Sequence, residues 1–150
     1  GVSAQSMVAV GVRKVEMEEV FEQSDIISIH APELPSTYHI VNEASIASMK
    51  DGVILINTAR GTAIDEQALA KALLSGKIKT ACLDVYDPEP PCADNPLLKL
   101  DNCIMTPHIA GQAANGLQRI GYNCYCQLLH FLAGERMQGE ITRDMLNHIA

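Results

Sequence analysis

Short apolar runs recur along this chain, each ending at a polar or proline-containing turn, with helical spacings of apolar residues between them. The clearest run is Val53-Ile54-Leu55-Ile56, three of its four residues β-branched, which fits a strand buried on both faces of a helix-covered parallel sheet. Asn57-Thr58-Ala59-Arg60-Gly61 follows as a polar turn. A helical pattern then opens at Asp65-Glu66, with Asp65 as N-cap, Leu69, Ala72 and Leu73 on the apolar face and Gly76 as stop. Upstream, Gly1 to Val10 predicts no element, and Gly11 to Val15 predicts a short strand. Met17, Val20 and Phe21 mark a helix over 16–23. Ile26-Ile27-Ser28-Ile29-His30 reads as a second buried strand, ended at Ala31-Pro32, because proline forces its predecessor to extend and donates no ladder bond. Asn42 caps a helix from Glu43 to Met49 with Ile46 and Met49 inward, and Asp51-Gly52 turns the chain into the next strand.

Downstream, Thr80 to Val85 predicts a third strand, followed by a proline-rich loop from Asp87 to Pro96. Cys103 to Thr106 predicts a fourth, cut off at Pro107. Gly111 to Leu132 is a long helical pattern carried by Leu117, Ile120, Tyr125, Leu128, Leu129 and Leu132 and closed by Gly134. Ile141 to Ile149, capped by Thr142, predicts a last short helix. Strands alternating with helices at this spacing mean βαβ units, so the expected fold is α/β, a Rossmann-like doubly wound parallel sheet with right-handed crossovers. There is no internal repeat and no low-complexity tract.

The 150 residues are enough for one domain with a real core, and 47% apolar with 19% charged residues is ordinary for a soluble globular chain. A net charge of −7 argues against a nucleic-acid partner or an anionic membrane surface, which need clustered Lys and Arg. No apolar run approaches membrane-spanning length, and no basic-then-apolar leader opens the chain. The five cysteines (Cys82, Cys92, Cys103, Cys124, Cys126) are odd in number and irregular in spacing, and Cys-Tyr-Cys lacks zinc-site spacing. Free thiols in a reducing compartment are expected, hence a cytoplasmic location.

Each predicted strand ends in residues a core does not choose: His30-Ala31-Pro32, Thr58-Ala59-Arg60, Asp84 and, in the loop beyond it, Glu89, then Pro107-His108-Ile109-Ala110-Gly111. In a doubly wound sheet these ends share one edge, where ligands bind. Arg60 there can grip a carboxylate with two donors, although a surface arginine paired with a nearby acid has the same local pattern. His108 suits proton donation, because the reference value of histidine lies near working pH. A carboxylate on its other ring nitrogen would favour the imidazolium and fix the ring. Either Glu89 or Asp84 fits that role. His30, His39, His130 and His148 have no such company and read as structural or exposed. Met7, Met17, Met49, Met105, Met137 and Met145 read as packing. A nucleophilic hydrolase is disfavoured: there is no Gly-x-Ser-x-Gly elbow, Ser45, Ser48 and Ser75 belong to helices, and Cys82 and Cys103 lie in strands. No ligand cluster for a catalytic metal is visible. Acid–base chemistry beside an anion-binding arginine is what remains.

Ser24 to Pro32, Asn57-Thr58-Ala59-Arg60-Gly61, Ala81 to Tyr86, Glu89-Pro90 and Thr106 to Gly111 together resemble the D-2-hydroxyacid dehydrogenase family, which includes D-3-phosphoglycerate dehydrogenase, glyoxylate and hydroxypyruvate reductases and D-lactate dehydrogenase. The likeness runs from about Val12 to Gly134, with several motifs in the right order. It implies an NAD-dependent oxidoreductase, NADP not being excluded, that interconverts a D-2-hydroxy acid and its 2-keto acid. By motif, Arg60 would hold the substrate carboxylate and carbonyl, His108 would protonate the keto oxygen as hydride arrives, and Glu89 would pair with His108. Asp84 would contact the nicotinamide carboxamide. Thr58, Ala59, Ala110 and Gly111 would line the nicotinamide, with Arg60 and His108 bordering it, while Ala31, Pro32 and Thr37 would flank the adenosine. Formate dehydrogenases share the pattern but carry Gln where Glu89 stands. The physics agrees with these roles, since hydride addition builds negative charge on oxygen where an acid and a guanidinium stabilise it.

Two departures qualify the resemblance. Gln112-Ala113-Ala114-Asn115-Gly116 replaces a segment where the family more often has Thr and Glu, which reads as a change of helix-start packing. The family's Gly-x-Gly-x-x-Gly turn is nowhere among the ten glycines, so these residues hold no pyrophosphate cradle. With no initiator Met at Gly1, the expectation is that residues 1–150 are the C-terminal portion of a dinucleotide-binding domain, not active alone, with a first strand whose flank is open. Roughly the last 15 residues would form a terminal helix reaching a separate substrate domain. The family commonly pairs through its cofactor domain, which implies a homodimer. The rival expectation is a non-catalytic dinucleotide-binding scaffold of the corepressor type, because such relatives keep the same fold.

Overall fold

A computed structural model describes residues 4–112 and 116–145. Four strands, β1 (Ile26–Ile29), β2 (Val53–Asn57), β3 (Ile78–Leu83) and β4 (Cys103–Met105), form one sheet in the order β1-β2-β3-β4, every pair parallel. Among the described residues five α-helices accompany them: α1 (Ala4–Val8), α2 (Met17–Gln23), α3 (Glu43–Ser48), α4 (Glu66–Ser75) and α5 (Gly116–Leu132). The α/β class and the strand-helix alternation agree with the expectation.

Local chemistry explains the element ends. Asn42 accepts from the Ala44 and Ser45 amides, and the Ser45 hydroxyl accepts in turn from the Asn42 amide, a capping box that starts α3. Asp65 accepts from the Gln67 and Ala68 amides at the start of α4. At its far end Gly76 takes a left-handed φ of 78° that a side chain would strain. Between these caps Ala68, Leu69, Ala70, Ala72 and Leu73 are buried. Leu69 and Leu73 each remove a full leucine side chain from water, which contributes about 1.5–3 kcal/mol apiece.

The core lies on one face of the sheet. Ile27, Ile29, Val53, Leu55, Ile78, Ala81 and Leu83 join Ile46, Met49, Leu69, Leu73 and Leu97 in a single cluster, and α2, α3 and α4 pack side by side over it. The opposite face is less covered among the described residues: Ile54, Ile56 and Cys82 are half-buried, and Ile26 and Ile104 are exposed. This corrects the reading of β1 and β2 as buried on both faces. Burial alternates along both strands, because β1 is an edge strand and helices cover one side only.

Other boundaries also move. Gly11 closes a turn, with φ 76°, and residues 12–15 carry no regular secondary structure and no strand ladder; Ala4–Val8 instead forms α1. β3 begins two residues earlier than expected and ends at Leu83. Where the helix from Gly111 was expected, Ala110–Gln112 forms a 3-10 turn, residues 113–115 lie outside the described residues, and α5 spans Gly116–Leu132. The expected helix from Ile141 is a 3-10 turn over Arg143–Met145, and residues 146–150, with His148, lie outside the description. Met49 packs in the core, whereas Met17 and Met145 are exposed, so the reading of all methionines as packing fails there.

Candidate functional site

The carboxyl ends of β1 to β4 lie side by side, and each continues into a segment named from the sequence. After β2, the side chain of Asn57, fully buried, shapes the turn that carries Arg60. Its Oδ1 accepts from the Ala59 amide at 3.0 Å and its Nδ2 donates to the Arg60 carbonyl at 2.8 Å. Asx geometry of this kind replaces the backbone bonds the turn forgoes. The exposed Arg60 guanidinium donates to the Ala59 carbonyl at 2.8 Å and lies 3.7 Å from Glu33. An exposed ion pair of that length is worth little, so the guanidinium can turn to a ligand at small cost. Gly61 comes next, and a side chain has no room there. A Cβ there would stand 2.0 Å from the Tyr86 carbonyl carbon and oxygen.

β3 delivers Asp84, 3% exposed, directly beyond its last residue. Its Oδ1 accepts from the Thr106 hydroxyl at 2.6 Å and the Ile109 amide at 2.8 Å, and its Oδ2 accepts from the Ala110 amide at 2.8 Å. Burial pushes this carboxyl up, but the Thr106 hydroxyl, the two amides and the nearby His108 outweigh it, and the net shift is below the usual aspartate value. The Tyr86 hydroxyl lies 2.9 Å from the Leu83 carbonyl and 2.6 Å from that of Thr106, sharing its proton between the ends of β3 and β4. Burial raises the Tyr86 pKa, so it stays a donor.

His108, three residues beyond β4, adopts a left-handed φ of 52° that costs a non-glycine residue about 1–2 kcal/mol. The bonds from Asp84 to the two following amides hold it there. Its Nδ1 faces Glu89 Oε1 at 2.7 Å, within a proline-rich loop. Of the two acids left open by the sequence, Glu89 takes the histidine and Asp84 takes the backbone on either side of it. The Glu89 contact orients the ring so that Nε2 is the nitrogen left to exchange a proton with a ligand.

A cavity of about 110 Å³ opens at this edge. Its floor is Ile56, Cys82 and Ile104, register mates on β2, β3 and β4, and Thr58, Asp84, Thr106 and Ala110 form its rim. Thr58, Asp84 and Ala110 of the predicted cofactor set are thus brought together. Ala59 is partly buried against the core, and Gly111 lies in the 3-10 turn after Ala110. Ala31, Pro32 and Thr37 form the loop after β1. The Thr37 hydroxyl is spent on that loop, donating to the Pro32 carbonyl at 2.6 Å and accepting from the Leu34 amide at 2.9 Å.

Among the other histidines, His30 bonds Ser28 at 2.9 Å and His39 stacks on Tyr38. His130 is a correction: its Nδ1 meets Glu135 at 2.6 Å, so it does have a carboxylate partner, supplied where the chain folds back past the end of α5. The five cysteines are free thiols, and burial, with smaller effects from Cys82 and Glu66, pushes Cys103 up to about 11. No group of metal-ligating side chains occurs among the described residues. Nor is any described helix long and apolar enough to cross a membrane. The sequence reading missed Glu66, which accepts from the Asp87 amide at 3.1 Å and the Asn95 side-chain amide at 2.5 Å. No local signal marks it, since its partners are 21 and 29 residues away.

The chain is similar to several proteins of one kind. It is 49% identical over 112 residues to a hydroxypyruvate reductase of Thermotoga maritima, covering 73% of this chain and 37% of that protein. The holo crystal structure of D-mandelate dehydrogenase from Rhodotorula graminis matches with a TM-score of 0.80 and 32% identity, over 95% of this chain and 42% of that one. The structure of D-lactate dehydrogenase from Aquifex aeolicus, complexed with NAD and lactic acid, matches with a TM-score of 0.74 and 35% identity, over 89% and 45%. The chain therefore spans under half the length of these relatives. The family model described as D-isomer specific 2-hydroxyacid dehydrogenase, NAD binding domain, matches residues 2–110, and with that match the chain belongs to the D-isomer specific 2-hydroxyacid dehydrogenase family.

Proposed function

We propose that the protein is an NAD(P)-dependent oxidoreductase that interconverts a D-2-hydroxy acid and its 2-keto acid. The observation that carries this is the 2.7 Å pair of Glu89 and His108 at the sheet edge that also bears Arg60. The cavity floored by Ile56, Cys82 and Ile104 has the size and apolar character for one flat ring, with the rim of Thr58, Asp84 and Ala110 offering polar partners. The residues present therefore fit the nicotinamide end of the cofactor, which supplies or accepts the hydride when bound. Asp84 has its oxygens engaged by three donors, so a carboxamide would add to that set as a further donor to Oδ2.

In reduction, Arg60 binds the carboxylate of the 2-keto acid and draws charge toward its carbonyl oxygen. His108 gives its Nε2 proton to that oxygen as negative charge develops there, and Glu89 stabilises the ring at Nδ1 throughout. Oxidation runs the same steps backwards. In this reading residues 1–150 are the C-terminal portion of a dinucleotide-binding domain, and the protein works as a cytoplasmic homodimer.

The test uses the full-length natural polypeptide that carries this chain, with NADH or NADPH and a panel of 2-keto acids, followed by cofactor absorbance. Turnover is expected with at least one acid, and Arg60→Ala is expected to lower kcat/KM by about 100-fold or more. Cofactor binding without turnover of any acid would replace the reading with the scaffold alternative, and an Arg60→Ala protein as active as its parent would remove Arg60 from the site.

A further inference from the structure

We infer that Glu66 is a positioning residue that holds Glu89 against His108; this rests on the acid–base reading of that pair. The Glu66 side chain leaves the first turn of α4, whose buried face fixes the helix to the sheet. Its two oxygens close the loop at both ends: Oε1 accepts from the Asp87 amide at 3.1 Å, and Oε2 accepts from Asn95 Nδ2 at 2.5 Å. Asn95 is itself 8% exposed, and its Oδ1 accepts from the Leu97 amide at 2.9 Å, so that end of the loop is anchored in turn. Between the two anchors, residues 87–90 are exposed, and Glu89 stands two residues from the first.

An exposed loop samples many conformations, and each one away from the histidine withdraws the carboxylate from it. One carboxylate that ties Asp87 and Asn95 to a rigid helix narrows that sampling without touching substrate or cofactor. The helix N-terminus favours a negative side chain at Glu66, so the anchor is compatible with its own element. Charge alone does not explain the arrangement, because both oxygens accept from the loop and not from the first turn of the helix.

The hydrogen-bond polarity can be inverted, which gives the test its control. Glu66→Gln presents an amide to the Asn95 amide and loses that bond, and adding Asn95→Asp restores it with donor and acceptor exchanged. In the full-length protein, E66Q is expected to lower kcat for 2-keto acid reduction by about 10- to 100-fold with the Kd for NADH unchanged. E66Q with N95D is expected to recover most of that loss. In an Glu89→Gln background the same E66Q change is expected to cost nothing further, because the group it positions is gone. A loss additive with E89Q, or an E66Q protein as fast as its parent, would overturn the proposal. A second readout does not need turnover: the imidazole nitrogen resonances of His108 in E66Q should move toward those in E89Q, and resonances unchanged from the parent would also overturn it. If the parent reduces no 2-keto acid, the functional reading falls by itself, and the imidazole spectrum still decides whether Glu66 holds the pair.

Discussion

A single carboxylate, Asp84, gathers the Thr106 hydroxyl and the Ile109 and Ala110 amides, and so decides where the imidazole of His108 stands. Asp84→Asn would turn an amide donor toward groups that already donate. We expect a loss of about 1–3 kcal/mol in urea unfolding, together with slower turnover. The acid dependence follows from the lowered pKa. The folded state holds this carboxyl charged below the unfolded aspartate value of about 3.9. Its contribution is therefore full above that value and disappears as pH falls through the lower folded one. The stability difference between parent and D84N should be level from about pH 5 upward and shrink below about pH 4; a difference that persists unchanged at pH 3 would contradict this. By residue type and position alone, Asp84 and Glu89 were interchangeable partners for the histidine, and only the family resemblance pointed to Glu89. Residue types and order could not separate them, because the choice depends on the turn after β4 that brings two backbone amides over Asp84.

At the scale of elements, α4 was legible from end to end, since its signals are local: Asp65 caps it, Leu69 and Leu73 recur at helical spacing, and Gly76 stops it in a left-handed conformation. The core of each strand was equally legible. Strand burial was not, because it depends on what lies beside the strand and on which faces carry helices, and β1 at an edge exposes Ile26. Glu66 was missed for the same kind of reason, its partners being far along the chain. Two elements meet with no side chain between them where Gly61 abuts the backbone of Tyr86. Gly61→Ala would force the turn carrying Arg60 away from the start of the Glu89 loop. We expect a loss of about 3 kcal/mol in urea unfolding and a rise in KM for the 2-keto acid. A G61A protein with parental stability would mean that the two segments separate freely.

For the molecule as a whole, one feature was half visible in the sequence. The apolar stripe of α5 is there as expected, but Leu117, Ile120, Leu128 and Leu132 are each more than half exposed, as are Ile26 and Ile104 on the open sheet face. Apolar periodicity reveals a helix and says nothing of what lies against it. Such surface should bind a hydrophobic dye while the chain is folded. Leu128→Lys with Leu132→Lys should reduce that fluorescence while moving the unfolding free energy by no more than about 0.5 kcal/mol; unchanged fluorescence would place the dye elsewhere. The order of the sheet has one more consequence. Arg60, Asp84 and His108 follow consecutive strands β2, β3 and β4, whose ends are set about 4.8 Å apart from one strand to the next by the ladder itself. That spacing belongs to the main chain of the sheet, whereas the turns beyond it, such as the one where Gly61 packs on Tyr86, can still be moved by a side chain. A ligand spanning all three groups would meet them in strand order, the guanidinium first, the carboxylate between and the imidazole last.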